Sequence, residues 1–280
     1  MAQPRIRWSL LAAASIAFFI AIPAQAARFD GLQGNPGLRS ASAFIMDGEG
    51  NLIYDKDADT VRPIASITKL MTAMVILDSG LDMNGDVTVT KADRDMIKLT
   101  GSRLGYGATL SRREMVLLAV MSSENRAAAA LGRTYPGGTE AFVEAMNAKA
   151  ALLGMSNSRF ADPAGLKPEN TSTARDLSRM ITAAYDYPLI REASTTQRLE
   201  VQPWSNRGPL AYGNTNRLLK NETWQIELSK TGYLNESGRC LVMRAIIEGE
   251  PVFIVLLNSF GKLTPFGDSN RLRRWMLAGG

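Results

Sequence analysis

The chain has 280 residues, with 32 lysines and arginines against 27 acidic residues and no histidine. The absence of histidine excludes a Ser-His-Asp triad, a Cys-His dyad and histidine-rich zinc sites. The single cysteine, Cys240, cannot form an internal disulfide or a thiolate metal site, and we expect it to be a small buried residue. We expect no metal and no other cofactor. Any covalent hydrolase chemistry must take Lys, Asp, Glu or a tyrosinate as its base.

The N-terminus has the pattern of an export signal. Arg5 and Arg7 precede an apolar run over residues 8–22, and the small-residue sequence Ala24-Gln25-Ala26 follows that run. The run is shorter than the roughly 20 apolar residues that a membrane-spanning helix needs. We expect residues 1–26 to be removed as a signal peptide, with the mature protein in the periplasm.

The remaining residues, 27–280, are predicted to form one catalytic domain, because their number suits a single hydrophobic core. Loss of Arg5 and Arg7 lowers the formal net charge from +5 to about +3. This charge is too small to indicate a nucleic-acid partner, and no basic run stands out. Residues 252–260 are apolar but far too few to cross a bilayer, so we expect no integral membrane segment after processing.

Hydrophobic periodicity and turn residues predict the elements in chain order. A hairpin is predicted at residues 42–46 and 51–54, around Asp47-Gly48-Glu49-Gly50. Helices are predicted at 66–78, 112–121, 125–133, 139–153 and 173–185, the last with a cap formed by Thr173 and Asp176. Residues 223–228, 240–247 and 252–258 are strand-like, and an amphipathic helix at about 269–277 ends the chain.

Strands at both ends of the chain with helices between them indicate an α/β fold of the α+β kind. We expect one antiparallel sheet built from both chain ends and flanked by helices. The middle of the chain, residues 80–175 or so, is predicted to form a helical subdomain. No repeat or linker divides the chain further.

The sequence Ser66-Ile67-Thr68-Lys69 places a serine and a lysine three residues apart at the start of a predicted helix. Residues at this spacing share one helix face, so the lysine amine can reach the serine hydroxyl. The motif alone is weak, because about one S-x-x-K match is expected by chance at average composition. Indeed a second match, Ser259-Phe-Gly-Lys262, follows a strand and is interpreted as accidental.

Two further short motifs follow in order. Ser123-Glu124-Asn125 lies between two predicted helices, where Ser and Asn also serve simply as helix caps. Lys230-Thr231-Gly232 follows a strand-like segment, where a turn with a surface lysine is the alternative. The ordered trio S-x-x-K, S-x-N and K-T-G is much rarer by chance, about a few per cent or less. It is the set of motifs found in penicillin-recognising enzymes.

From Ala65 onward the chain resembles the low-molecular-mass penicillin-binding proteins, which are serine D,D-peptidases of bacterial cell-wall maturation. The resemblance extends over nearly the whole mature chain. The segments that carry it include Ala65-Ser-Ile-Thr-Lys-Leu-Met-Thr-Ala-Met74, Met121-Ser-Ser-Glu-Asn-Arg-Ala-Ala128, Tyr135-Pro-Gly-Gly138, Ala145-Met-Asn-Ala-Lys149, Ser172-Thr-Ala-Arg-Asp-Leu177 and Lys230-Thr-Gly-Tyr233.

The resemblance implies three catalytic residues. Ser66 is the nucleophile that forms an acyl-enzyme, and Lys69 accepts its proton. Ser123 relays that proton to the leaving amine. A neutral Lys69 amine is required, and burial together with the nearby Lys230 cation is expected to lower its pKa.

The same resemblance implies a substrate-binding set. Asn125 holds Lys69 and the substrate amide, while Lys230 and Thr231 bind the substrate carboxylate. Gly232 lets its strand approach closely, and the backbone N–H groups of Ser66 and Tyr233 form the oxyanion hole. The expected partners are peptidoglycan muropeptides as substrates and β-lactam antibiotics as covalent inhibitors.

Three alternatives remain beside the cross-link endopeptidase that the resemblance favours. A D-alanyl-D-alanine carboxypeptidase would use the same trio. A class A β-lactamase needs a glutamate about 36 residues after the S-x-N serine, where this chain has Arg159, and Asp162 nearby is interpreted as a turn residue. A non-catalytic β-lactam sensor or scaffold is the third.

Arg217 and Arg239 are interpreted as surface residues, with a carboxylate contact as the alternative.

Overall fold

The computed structural model describes residues 28–279. The export signal predicted at residues 1–26 lies outside these. Within residues 28–279, none of the helices combines the length and the apolar character that a bilayer-spanning helix requires.

The described residues form eleven strands and seven α-helices. The strands are β1 (Ser42–Asp47), β2 (Leu52–Lys56), β3 (Arg62–Pro63), β4 (Asp86–Thr88), β5 (Thr109–Ser111), β6 (Thr171–Ser172), β7 (Arg198–Val201), β8 (Leu210–Gly213), β9 (Gln225–Leu234), β10 (Gly238–Ile247) and β11 (Glu250–Ser259). The helices are α1 (Thr68–Asp78), α2 (Arg112–Met121), α3 (Asn125–Arg133), α4 (Gly138–Leu152), α5 (Ala174–Tyr185), α6 (Pro188–Thr195) and α7 (Thr264–Leu277).

The main sheet joins the two ends of the chain. Its five strands lie in the order β2-β1-β11-β10-β9, and every neighbouring pair is antiparallel. The N-terminal β1 is therefore paired with the C-terminal β11, with Ile45 opposite Ile254. This arrangement confirms the predicted fold class, a sheet built from both chain ends with helices between them.

Both faces of the sheet are covered, because side chains alternate along each strand. On β1, Phe44 and Met46 belong to the core shared with the helices α1 to α6. Ala43 and Ile45, which point the other way, pack in a second core with residues of α7. A sheet covered on both faces explains why all six residues of β1 are buried.

Helix α1 lies at the centre of the first core. Residues from Thr68 to Ile76 are buried without interruption, so the helix has no solvent-facing side. Its first turn includes Lys69, which is 0% exposed. The burial of this helix therefore takes a lysine into the interior with it.

Two sequence predictions need correction. The strand predicted at residues 223–228 exists, but its bounds and the place of Lys230 at its end are wrong: β9 runs from Gln225 to Leu234 and carries Lys230 in its middle. Lysine and glycine disfavour strands, but the ladder to β10, with Lys230 opposite Val242, overrides that local preference. The final helix begins at Thr264 instead of residue 269, with Pro265 in its first turn. Helix α6 and the β7–β8 hairpin were not predicted.

Other local predictions are confirmed. Helices α2 and α3 have the predicted bounds. The Thr173 hydroxyl accepts a hydrogen bond from the Asp176 N–H at 3.0 Å, which caps α5 as the sequence indicates. Cys240 is buried, and burial raises the pKa of its thiol to about 11, so the thiol stays protonated and unreactive.

A buried carboxylate ties the N-terminal segment to α7. Asp268 is 0% exposed and accepts hydrogen bonds from the backbone N–H groups of Arg39 at 2.9 Å and Ser40 at 2.7 Å. The Ser40 hydroxyl donates to the same carboxylate at 2.5 Å, and Arg271 pairs with it. Because Ser40 is buried with it, the carboxylate satisfies two donors that would otherwise lie unpaired.

We expect Asp268→Ala to lower the free energy of unfolding by about 2–4 kcal/mol, because it leaves buried donors without an acceptor. Urea unfolding followed by circular dichroism measures the change. Glu222→Ala, at an exposed acidic residue, is the matched control and should shift the midpoint little. An Asp268→Ala protein as stable as this control would contradict the role of the carboxylate.

Candidate active site

The segment before α1 holds Ser66 in a strained backbone. Ser66 lies in a 3-10 turn, Ala65–Ile67, that runs directly into α1. The α-helix therefore begins at Thr68, two residues after the start that the sequence predicted. Ala65 has φ +48°, which is rare for a residue with a Cβ. Gly165 packs against its carbonyl so closely that a Cβ at position 165 would lie 2.0 Å from the Ala65 oxygen.

The Lys69 amine is surrounded by uncharged oxygens. It lies 2.8 Å from the Ser66 hydroxyl, 2.8 Å from the Asn125 side-chain oxygen and 2.5 Å from the Ala164 carbonyl. The amine donates in all three contacts, and once it is neutral it keeps a lone pair that can accept the Ser66 proton. The contact places the two groups at the distance that a nucleophile and its base require.

The state of Lys69 follows from its surroundings. Burial lowers the pKa of the Lys69 amine to about 8. The carboxylates of Asp162, Glu124 and Asp95 raise this pKa but do not outweigh the burial. With a pKa of about 8, about one Lys69 amine in ten is neutral at pH 7, against fewer than about one in a thousand for an exposed lysine.

The S-x-N motif forms the turn between α2 and α3, as predicted. Ser123 has φ +59°, and this left-handed backbone directs its hydroxyl to the Lys230 amine at 2.9 Å. Asn125 begins α3 and bridges Lys69 to the Thr100 hydroxyl, which its amide group contacts at 2.9 Å. Helix α3 is capped by the Glu124 carboxylate, which accepts from the Arg126 N–H, so Ser123 and Asn125 are free of the capping role weighed for them.

Lys230 is a second buried amine in the same pocket. It is 1% exposed and also donates to the Thr231 carbonyl at 2.9 Å. Burial, followed by repulsion from Lys69, lowers the pKa of Lys230 well below its usual value. The sequence prediction expected burial and the Lys230 cation together to lower the pKa of Lys69. Burial does lower the Lys69 pKa, as predicted, but the repulsion lowers the pKa of Lys230 and not that of Lys69.

Strand β9 forms one wall of the site as the edge strand of the sheet. Gly232 faces the nucleophile segment, and a Cβ there would lie 2.8 Å from the Ile64 carbonyl oxygen. Glycine therefore permits the close approach predicted for it. Tyr233 follows at the cavity rim, 49% exposed, and the Arg239 guanidinium stacks 4.0 Å from its ring centroid.

A cavity of about 300 Å³ opens over these groups. The predicted residues that line it are Ser66, Ser123, Asn125, Thr231, Gly232 and Tyr233. The buried Lys69 contacts Ser66, and the buried Lys230 contacts Ser123. The structure thus brings all eight predicted site residues to one place.

Several other residues also line this cavity. Arg217 and Arg239, interpreted from the sequence as surface residues, both reach it, as does Lys262. Thr215 was missed; its hydroxyl contacts that of Thr231 at 2.7 Å, and no local motif marks it. Lys262 belongs to the second S-x-x-K match, whose Ser259 is instead bound to Ser40 at 2.7 Å.

The loop after α4 supports Lys69 from behind. The Asp162 carboxylate accepts hydrogen bonds from the backbone N–H groups of Ala164 and Gly165, each at 2.7 Å. Asp162 is therefore the turn residue that the sequence predicted. The same turn presents the Ala164 carbonyl to Lys69. Arg159, at the position of the class A glutamate, is exposed. No water-activating carboxylate stands at that position.

We expect Gly165→Ala to destabilise the fold by about 2–4 kcal/mol, because Gly165 has φ +74° and its Cβ would meet the Ala65 carbonyl. Displacement of Ala65 also moves Ser66, so penicillin acylation should slow by about 10-fold or more. Gly208→Ala is the matched control, since nothing lies within 4 Å of its Cβ. Thermal unfolding and the acylation rate are measured together, and a Gly165→Ala protein that behaves like the control would contradict this packing.

Comparison with known sequences finds a matching family and similar proteins. Residues 32–261 match the family described as D-alanyl-D-alanine carboxypeptidase. The chain is 49% identical over 250 residues to the D-alanyl-D-alanine endopeptidase of Pseudomonas aeruginosa, with 89% of this chain and 81% of that protein aligned. It is 46% identical to the D-alanyl-D-alanine endopeptidase of Escherichia coli (strain K12), with 99% and 90% aligned.

Comparison with solved structures gives the same fold. The crystal structure of the Streptomyces K15 DD-transpeptidase superposes with a TM-score of 0.81 at 28% sequence identity. The alignment covers 88% of this chain and all of that one. The fold and the sequence therefore point to the same group of proteins.

Proposed function

Because the chain belongs to the D-alanyl-D-alanine carboxypeptidase family of serine peptidases, we propose that it hydrolyses D-alanyl–diaminopimelate cross-links of peptidoglycan through an acyl-enzyme on Ser66. The single observation that carries the proposal is the Lys69 amine, buried among uncharged oxygens 2.8 Å from the Ser66 hydroxyl. Such an amine is neutral often enough to take the serine proton.

Acylation begins when Ser66 Oγ attacks the carbonyl carbon of the D-alanine residue while its proton passes to Lys69 Nζ. A C–O bond forms, and the carbonyl oxygen becomes an oxyanion. The backbone N–H groups of Ser66 and Tyr233 are proposed to stabilise it. Their segments are held together by the close packing of Gly232 against Ile64 and Ala65.

Collapse of this intermediate breaks the C–N bond and needs a proton on the leaving amine. Ser123 Oγ, 2.9 Å from Lys230 Nζ, is proposed to deliver it and to recover a proton from the lysine pair. Lys230, Thr231 and Arg217 are proposed to bind the carboxylate beside the scissile amide. That carboxylate supplies the negative charge that the buried Lys230 lacks in the free protein, so substrate binding favours protonated Lys230.

Water then attacks the acyl carbon while Lys69 Nζ is proposed to take a proton from it and pass a proton to Ser66 Oγ. The ester C–O bond breaks, and the peptide carboxylic acid and the free serine are released. A β-lactam would enter the same steps through its cyclic amide, but its leaving group stays attached and shields the ester. We therefore propose that β-lactams are covalent inhibitors. Rapid deacylation of the β-lactamase kind is disfavoured because exposed Arg159 stands where a class A enzyme has its glutamate.

The family also contains carboxypeptidases, which release a terminal D-alanine, and the catalytic groups alone serve either reaction. Two relatives at 46% and 49% identity are D-alanyl-D-alanine endopeptidases, and this favours the cross-link as substrate. The substrate lies in the cell wall, so we propose export by residues 1–26 to the periplasm. We propose that residues 27–280 then act there as one domain.

We expect residues 27–280 to cleave a cross-linked muropeptide dimer in a mixture with pentapeptide monomer, and penicillin should block the cleavage. Ser66→Ala should lower dimer cleavage by about 10³-fold or more and abolish covalent penicillin labelling. Ser205→Ala, at an exposed serine, is the control. Chromatography of the muropeptides and mass spectrometry of the intact protein give the readouts.

Loss of terminal D-alanine with the dimer intact would make the protein a carboxypeptidase instead. Persistent labelling of the Ser66→Ala variant would overturn the assignment of the nucleophile.

A further inference from the structure

A second cavity, of about 550 Å³, lies beside the catalytic one. It is lined by the loop residues Gly101, Ser102 and Arg103, and by Ser122, Glu124, Tyr212 and Gly213. None of these residues has a role in the proposed acyl-transfer steps. The cavity is open to solvent and carries an anion, a cation and a phenol.

The same three segments border both cavities. Ser123 lines the catalytic cavity, and its neighbours in the motif line the second. Likewise Thr215 lines the catalytic cavity and Tyr212 lines the second. The Thr215 N–H donates to the Met121 carbonyl at 3.2 Å, and this bond joins the segment after β8 to the end of α2. The loop that provides Arg103 also provides Thr100, which contacts Asn125. The two cavities therefore adjoin along Ser123 and Thr215.

Tyr212 has a polar group without a partner. The residue is 4% exposed, and its hydroxyl has no hydrogen bond to any of residues 28–279. Burial and the charge of Glu124 raise the pKa of Tyr212 to about 12, so the hydroxyl remains protonated and can donate. A buried hydroxyl left unpaired costs stability, and this is the condition that a ligand would relieve.

Glu124 and Arg103 line the same cavity as Tyr212 and carry opposite charges. Glu124 is 9% exposed, and one of its carboxylate oxygens accepts the Arg126 N–H at 3.2 Å. The Arg103 guanidinium stacks 4.2 Å from the Tyr212 ring centroid and also donates to the Ala211 carbonyl. The Arg103 side chain is exposed, which leaves further N–H donors for a ligand. Together the three groups can bind amide N–H, amide C=O and carboxylate.

The proposed reaction fixes which end of the substrate faces this cavity. The scissile carbonyl sits between Ser66 and Tyr233, and the leaving amine faces Ser123. The leaving group therefore departs on the side of Ser123 and Thr215, where the second cavity begins. A terminal D-alanine ends at its carboxylate and methyl group, whereas a cross-linked leaving group continues along the diaminopimelyl chain into a whole peptide stem.

We propose that the second cavity is the subsite for this longer leaving group and that Tyr212 is a specificity-determining residue for cross-linked substrates. Tyr212 and Arg103 donate to amide or carboxylate oxygens of the acceptor stem, and Glu124 accepts an amide N–H. The subsite rests on the proposed endopeptidase function. It gives a structural reason why this chain would accept a cross-link as well as a terminal D-alanine.

The test compares Tyr212→Phe with the unmodified protein on a muropeptide dimer and on pentapeptide monomer. The kcat/KM for the dimer divided by that for the monomer should fall about 3- to 10-fold, as for loss of one hydrogen bond. Thermal stability should be unchanged or higher, because the hydroxyl has no partner in the free protein. Arg103→Gln should lower the same ratio. Tyr54→Phe, on β2 beside Trp275, is the matched control.

The outcomes separate the two proposals. If the unmodified protein cleaves the dimer and Tyr212→Phe leaves the ratio unchanged, the subsite is overturned and the endopeptidase stands. If Tyr212→Phe slows both substrates equally, Tyr212 supports the catalytic groups and the subsite is likewise overturned. If the unmodified protein trims pentapeptide but leaves the dimer intact, the endopeptidase function fails and the subsite with it.

Discussion

Two lysine amines share one buried pocket, and every oxygen that they contact there is uncharged. Burial in this pocket opposes protonation of Lys69, whose pKa falls from 10.5 to about 8. The folded state then binds this proton less readily than the unfolded chain, so the contribution of Lys69 to stability rises with pH between about 8 and 10.5. Below that range, the folded protein carries the cost of a buried cation. This destabilisation is located at Lys69, where the proposed chemistry needs a neutral amine.

The rest of the site consists of backbone placed around that pocket. Ala65 and Ser123 both have left-handed φ values. Ala65 directly precedes Ser66, and Ser123 is itself the second proposed catalytic serine. Gly165 and Gly232 press on the nucleophile segment from opposite elements, the loop after α4 and strand β9. A Cβ at either position would meet a carbonyl of this segment and displace it. The two glycines and the strained Ala65 thus hold Ser66 at the distance from Lys69 on which the proposed proton transfer depends.

The sequence allowed the fold class to be predicted, because strand-like segments lie at both ends of the chain and helical periodicity fills the middle. It also pointed to all eight proposed site residues, since three short motifs carry most of them. Thr215 and Tyr212 could not be found in this way, because they lie in and just after a hairpin that only tertiary contacts create. The extension of β9 through Lys230 was missed for the same reason: pairing with β10 outweighs the poor strand preference of lysine and glycine. The burial of Lys69 and the repulsion between the two lysines were foreseen, but the sequence did not indicate that the repulsion lowers the pKa of Lys230 and not that of Lys69.

The most direct test of a neutral-amine mechanism is the titration of Lys69 itself in protein labelled with carbon-13 at the lysine Cε positions. A Lys69→Met variant, which lacks only that signal, identifies the resonance. A buried base predicts a midpoint near pH 8, well below the 10.5 of an ordinary lysine. A midpoint at or above about 10 would mean that Lys69 is a permanent cation at neutral pH, and Ser66 would then need a different base.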